Sequence, residues 1–335
     1  MSMTSIGDLA QSLMLRTRST QLKQTMNRLT NELASGQVSD VSSRLGGDYS
    51  YLSDIDRNLA QLSGYALATT EATVFASGVQ SGLGRLYELA SDLGTTLIGI
   101  GEGSLETARI NAAFQAETAL QAAISALNSQ AAGRSLFGGM ATDRPTLAEA
   151  DVLLDALRSA VAGLTTSQDI SEAAANWFDD PSGFRATIYS GSDETLAPFR
   201  LGAGEQVSMT LRADDPAFIE TLKNLALAAL ARDGSLGLDI AEQNSLMHSS
   251  GEALLGESAT LGRLSADLGY AESRIEAAAA RNAAAKSSLE YARTELLAAD
   301  PYETATRLEE VQFQLESLYS VTVRTSRLSL LSFLE

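Results

Sequence analysis

Apolar residues recur every three or four positions along most of this chain, the period of helices buried on one face. The longest such run lies towards the C-terminus. Every seventh position from 254 reads Leu254, Leu261, Leu268, Ile275, Asn282, Leu289 and Leu296. Three residues beyond each, from Leu261 on, stand Leu264, Ala271, Ala278, Ala285, Ala292 and Ala299. This a/d heptad predicts a coiled-coil helix over 254–299. Its alanine positions let a partner come close, and Asn282 places a polar group in the seam, where it can fix register. Such a helix spans roughly 70 Å and needs a partner of similar length to persist in water. Residues 52–130 supply matching helices, so the partner is expected within the chain.

Both ends carry further stripes. Ile6, Leu9 and Leu13 begin the first; after a phase shift it continues as Leu15, Leu22, Met26, Leu29 and Leu33 until Gly36. At the other end Asp300, Pro301 and Glu303 fill the N-cap, first and third positions of a new helix. Leu308, Val311, Leu315, Leu318 and Val321 follow at helical spacing, and the tail closes with Leu328, Leu331 and Phe333. A second helical pattern starts at Leu52 and Ile55 and runs to Leu93, with more glycine than an ideal helix. Residues 99–104 read as a loop, and helix resumes from Leu105 to Leu127 before Gly133–Gly139 closes it.

The middle reads differently. Thr146 and Glu149 form a capping box before Leu153, Leu154, Leu157 and Val161. Residues 184–189 and 206–211 have strand-like character between turn residues, and Asp215-Pro216 opens another helix. The fold class expected is mainly α. A long antiparallel helical bundle or coiled coil forms from the N- and C-terminal segments, with a small mixed α/β domain inserted in the middle. The boundaries are 1–40 and 300–335 for terminal assembly helices, 41–140 and 236–299 for the two halves of the bundle, and 141–235 for the insertion.

Composition narrows the function classes. The 335 residues carry 24 basic and 42 acidic side chains, a net charge of -18, which repels phosphate backbones and argues against nucleic acid. Charge is uneven: residues 1–40 carry a net +1, 301–335 a net -2, and the acidic excess lies between them. There is no cysteine and a single histidine, so thiolate sites and multi-histidine metal centres are excluded. His248 reads as an exposed or capping residue. Gly99, Gly101 and Gly103 follow no strand and lack the final glycine of a phosphate loop, so they read as a turn. No run of 18 apolar residues suits a membrane span, and no cleaved secretory signal is expected. No nucleophile–base set points to an enzyme, and no catalytic, cofactor-binding or metal residue is assigned.

Several segments resemble the bacterial flagellin family. Arg28–Gly36 is similar to the family's "RLSSG" segment, Gly103–Arg109 to its "NGT…R" turn, and Leu328–Leu334 to its "LSLLNFL" tail. The resemblance covers roughly 1–140 and 250–335. Within the family, Gly133–Gly139 and Pro145 are similar to the "G.YLFSG…T.P" turn of the members that join hook to filament. The resemblance implies a self-assembling structural protein of the flagellum, exported uncleaved by the type III apparatus. It implies partners among the axial proteins (hook-associated protein 1, flagellin and further copies of itself) and a cytoplasmic chaperone on the C-terminal segment. It implies no membrane insertion. Two other readings stay open, a filament flagellin and a cytoplasmic coiled-coil scaffold. The surfaces expected to assemble are the apolar positions from Leu9 to Leu33 and from Leu308 to Phe333. They are expected to be unfolded in the free monomer and to form helices only when neighbours bury them.

Overall fold

The computed structural model of the chain describes residues 6–334, with side chains from 10 to 324. Among the described residues there are ten helices and two short hairpins. In chain order these are α1 (Ile6–Ser35), α2 (Val41–Arg44), α3 (Ser50–Ile98), α4 (Glu106–Leu127), β1 (Gln130–Ala131), β2 (Arg134–Ser135), α5 (Ala150–Ala160) and α6 (Ser167–Asp179). Then come α7 (Phe184–Thr187), β3 (Phe199–Gly202), β4 (Glu205–Val207), α8 (Pro216–Leu230), α9 (Ile240–Leu297) and α10 (Pro301–Leu334). The fold is mainly α, with long terminal helices packed on each other. Two units divide the chain: one takes the residues up to Leu62 and from Ala284 onward, the other Ser63–Ala283.

The second unit holds the large core. The heptad stripe of α9 is buried there: Leu254 and Leu261 are fully covered, and Leu268, Ile275 and Ala278 are buried. Each such leucine contributes about 1.5–3 kcal/mol. Its partner is α3, which runs antiparallel to it, since the Gln80 amide donates to the Ser265 hydroxyl while Gly94 lies against Gly251. The glycines of α3 have a packing reason. A Cβ at Gly94 would come within 2.9 Å of Leu255 Cγ, one at Gly78 within 2.7 Å of Leu136 Cδ1, and one at Gly82 within 2.8 Å of Phe137 Cζ. Helix propensity is given up at these points so that neighbours can close on the backbone. The turn after the first hairpin thereby drives Leu136 and Phe137 into α3, and Phe137 meets Phe218 of α8 edge-on at 5.6 Å.

Residues 141–235 are more helical than their sequence suggests. Residues 184–189 do not form a strand. Phe184 opens a short helix behind the N-cap Gly183, and it stands four residues, a helical spacing, before the equally buried C-cap Ile188. The strand expected at 206–211 is limited to Glu205–Val207, paired antiparallel with Phe199–Gly202. Helix α6 has no counterpart in the sequence reading. The capping box fails too: α5 starts at Ala150, and the Thr146 hydroxyl bonds to Ser135 Oγ at 2.7 Å instead of capping it. Asp215 and Pro216 do open α8, the carboxylate accepting from Ala217 N at 3.1 Å.

Candidate assembly interface

In the first unit α1 and α10 pair antiparallel. One stripe of each forms the seam. On α1, Leu22 and Leu29 are buried, Leu15 and Met26 half-buried. On α10, Leu308, Val311, Leu315 and Leu318 are half-buried, and Thr304 is buried at the base. Lys23 Nζ sits 5.8 Å over the Tyr319 ring. Its hydrogen bond to the phenol, helped by Ser19, holds the Tyr319 hydroxyl below the usual phenol range.

The base of the pair is pinned by its connectors. Helix α1 ends at Gly36, whose φ of +69° is a left-handed turn that glycine takes without strain. Gln37 then bridges to Ala298 in antiparallel fashion. Val38 N donates to Leu297 O and Ala299 N to Gly36 O, both at 2.9 Å. Arg44 Nε reaches Leu296 O at 3.4 Å, and Arg293 Nε pairs with Asp56 at 2.9 Å. Asp300 caps α10, accepting from Tyr302 N at 2.9 Å and Glu303 N at 3.1 Å. Glu303 pairs forward with Arg307 at 2.7 Å and does not close a capping box. Two connectors some 260 residues apart in sequence thus fix where both helices start.

Much apolar surface stays outside the seam. Leu13 is 67% exposed, Met14 71%, Phe313 71% and Tyr302 84%; Leu33, Val321 and Val323 are exposed as well. Leu33, placed in the stripe by its spacing, lies in the last turn of α1 and is exposed. Leu13 precedes the phase shift and so points away from Leu22. The side chains of Leu9, Leu328, Leu331 and Phe333 lie outside the described residues. The heptad of α9 continues here with less cover, as Leu289 and Leu296 are half-buried and Ala285 is exposed.

Two seam residues take different parts. Leu264 is half-buried against the core. Asn282 shows no register-setting partner across the coiled coil: its amide donates to Leu201 O at 2.7 Å, with Arg274 reaching Gln206 O at 3.1 Å nearby. The residue therefore holds the β3–β4 hairpin to α9, a role the heptad gives no hint of. His248 Nδ1 lies 3.8 Å from Glu252 one turn on, a carboxylate the sequence reading passed over. Among the described residues no group of three His, Cys, Asp or Glu side chains could hold a metal ion, and no helix is long and apolar enough to cross a membrane.

Comparison with known proteins places these elements. Residues 256–334, covering most of α9 and all of α10, match the family model of the bacterial flagellin C-terminal helical region. The flagellin resemblance read from the tail thus holds across both helices. No curated protein matches the chain. Among solved structures, one assigned as a flagellar hook-associated protein from Vibrio parahaemolyticus shares 14% identity at a TM-score of 0.54, over 75% of this chain and 99% of that one. At that identity the likeness is one of fold.

Proposed function

We propose that this chain is a structural subunit of the bacterial flagellum, the junction adaptor between hook and filament called flagellar hook-associated protein 3. The observation that carries the reading is the α1–α10 pair. The segment matched to the flagellin C-terminal region is the one that packs, through α10, on the N-terminal helix. The pair seals one stripe and turns Leu13, Met14 and Phe313 outward. Subunits that pack side by side in a tube bury such faces against neighbours. The hook-associated relative of like fold favours the junction over the filament.

In this account the chain leaves the cell by type III export, uncleaved, with a cytoplasmic chaperone covering its C-terminal segment. It then assembles with hook-associated protein 1 on one side and flagellin on the other. The protein is no enzyme; its work is to hold two lattices together. Deletion of the gene tests this. The account expects cells that retain hooks, lack filaments and release unassembled flagellin into the medium. Hooked cells with normal filaments would refute the junction role. A loss of the filament subunit itself would support a filament flagellin instead.

A further inference from the structure

Asp233–Gly234 is the one Asp-Gly step in the chain, and no Asn-Gly step occurs. Aspartate before glycine is prone to ring closure by its own backbone, because glycine has no side chain to shield the attacking nitrogen and leaves the peptide free to turn. The step lies in the turn that joins α8 to α9. A Cβ added at Gly234 would meet nothing within 4 Å, so no packing blocks movement there. The Asp233 carboxylate, however, is held on both oxygens. Oδ1 accepts from Ser235 N at 2.9 Å and from Ser235 Oγ at 2.6 Å. Oδ2 accepts from Arg158 Nε of α5 at 2.7 Å, and Asp155, one turn back on α5, holds Arg158 from the other side. Arg232, next in the chain, is turned to Glu106 at 3.6 Å. Burial pushes the Asp233 carboxyl up, but Ser235 and Arg158 outweigh it and hold the group below the usual carboxylate range.

We infer that Asp233–Gly234 is a latent site of aspartate isomerisation, kept closed by Arg158. In the reaction the Gly234 nitrogen attacks Asp233 Cγ. A N–Cγ bond forms, the nitrogen gives up its proton, and one carboxyl oxygen leaves as water. Water then opens the five-membered succinimide. Attack at Cγ restores aspartate; attack at the main-chain carbonyl carbon leaves the chain running through Cγ, as isoaspartate. One water is released and one consumed, and nothing is oxidised. The bridge opposes the first step in two ways. An oxygen leaves as water from the neutral carboxyl, and the bonds from Arg158 and Ser235 favour the ionised one. A carboxylate pinned on both oxygens also cannot turn its carbon onto the Gly234 nitrogen. The product would lengthen the main chain by one carbon in a closed turn. Asp233 N donates to Leu230 O at 2.8 Å and Leu236 N to Asp233 O at 3.1 Å, with Leu236 and Leu238 buried just beyond. Arg158 is thus a positioning residue: it ties α5 to the turn and keeps the turn's backbone chemically intact.

The test is ageing of the full chain, warm and near neutral pH, for several weeks. Peptide mapping with electron-transfer fragmentation separates isoaspartate from aspartate at position 233. The folded parent is expected to accumulate little, and the parent in guanidinium chloride severalfold more. Folded Arg158→Gln is expected to exceed the folded parent severalfold, with Arg158→Lys, which keeps the charge, between them. Circular dichroism checks that both variants stay folded. Deamidation at Asn128–Ser129 is the internal control. Asn128 Oδ1 accepts from Thr146 N and Leu147 N, each at 2.8 Å, so its rate reports any general loosening. That rate should be the same in parent and variants. No isoaspartate in the denatured chain would mean that there is no site. Equal rates in folded and denatured parent would mean that the turn is not closed. Equal rates in parent and Arg158→Gln, or a rise at Asn128 as large as that at Asp233, would mean that Arg158 is not what closes it. Each of these results overturns the inference.

Discussion

Single residues show where the fold tolerates no change. Gly251 is the tightest point of the α3–α9 crossing. A Cβ there would lie 2.8 Å from Leu97 Cβ, 3.0 Å from Gly94 O and 3.1 Å from Ile98 N. Two of those atoms are backbone and cannot swing aside. Gly251→Ala, a substitution that favours an isolated helix, is therefore expected to cost about 1–3 kcal/mol by overpacking. Thermal or urea unfolding reads it; a neutral or stabilising change would show that the crossing is looser. Tyr189 sets a pH limit. Its hydroxyl donates to Ser192 O at 2.8 Å. Burial, with Asp214 adding to it, pushes the phenol up to about 12, against the pull of Arg212 and Arg185. The unfolded phenol ionises near 10. Between about pH 10 and 12 the folded chain keeps a proton that the unfolded chain has lost, so stability falls across that window. Denaturation midpoints should decline there in the parent and decline less in Tyr189→Phe. An equal decline in both would assign the effect to other groups.

At the scale of elements, what could be read from the sequence was whatever repeats locally. The α9 heptad, the α1 and α10 stripes and the caps at Asp215 and Asp300 all rest on neighbours within a turn or two, and their helices form. Short elements were lost because a few residues do not separate two periods. Phe184 and Ile188 suit a strand by composition and a helix by spacing, and packing chose the helix. Helix α6 had a readable signature, Thr166 capping Asp169 N before Ile170, Ala174 and Phe178. The capping box at Thr146 matched the motif, yet the hydroxyl found a tertiary partner in Ser135. The α1–α10 pair was half legible. Its stripes were visible, but the Gln37–Ala298 bridge and the Lys23–Tyr319 contact join distant segments and leave no local period. The structure also bears on the expectation that the terminal segments are unfolded in the free monomer. Both are helices over their described residues, held by one stripe. Hydrogen exchange should therefore find α1 and α10 less protected than α8, whose apolar residues are nearly all buried. Leu29→Ala should remove about 2 kcal/mol or more of local stability and lower protection in α1 and α10 together. A loss confined to α1 would show that the two do not open as one.

At the scale of the whole molecule the account joins three things. A mainly α fold carries the flagellin-type C-terminal helices, the terminal helices pair through one stripe, and apolar residues on their other faces stay exposed. The acidic segment between the ends suits a surface facing water. The central claim is a position: a short adaptor zone where the hook meets the filament. Immunogold electron microscopy of intact cells, with antibody raised to residues 141–235, tests it most directly. The account predicts gold in a narrow band at the hook–filament boundary. Gold along the whole filament, or confined to the cell interior, would contradict it.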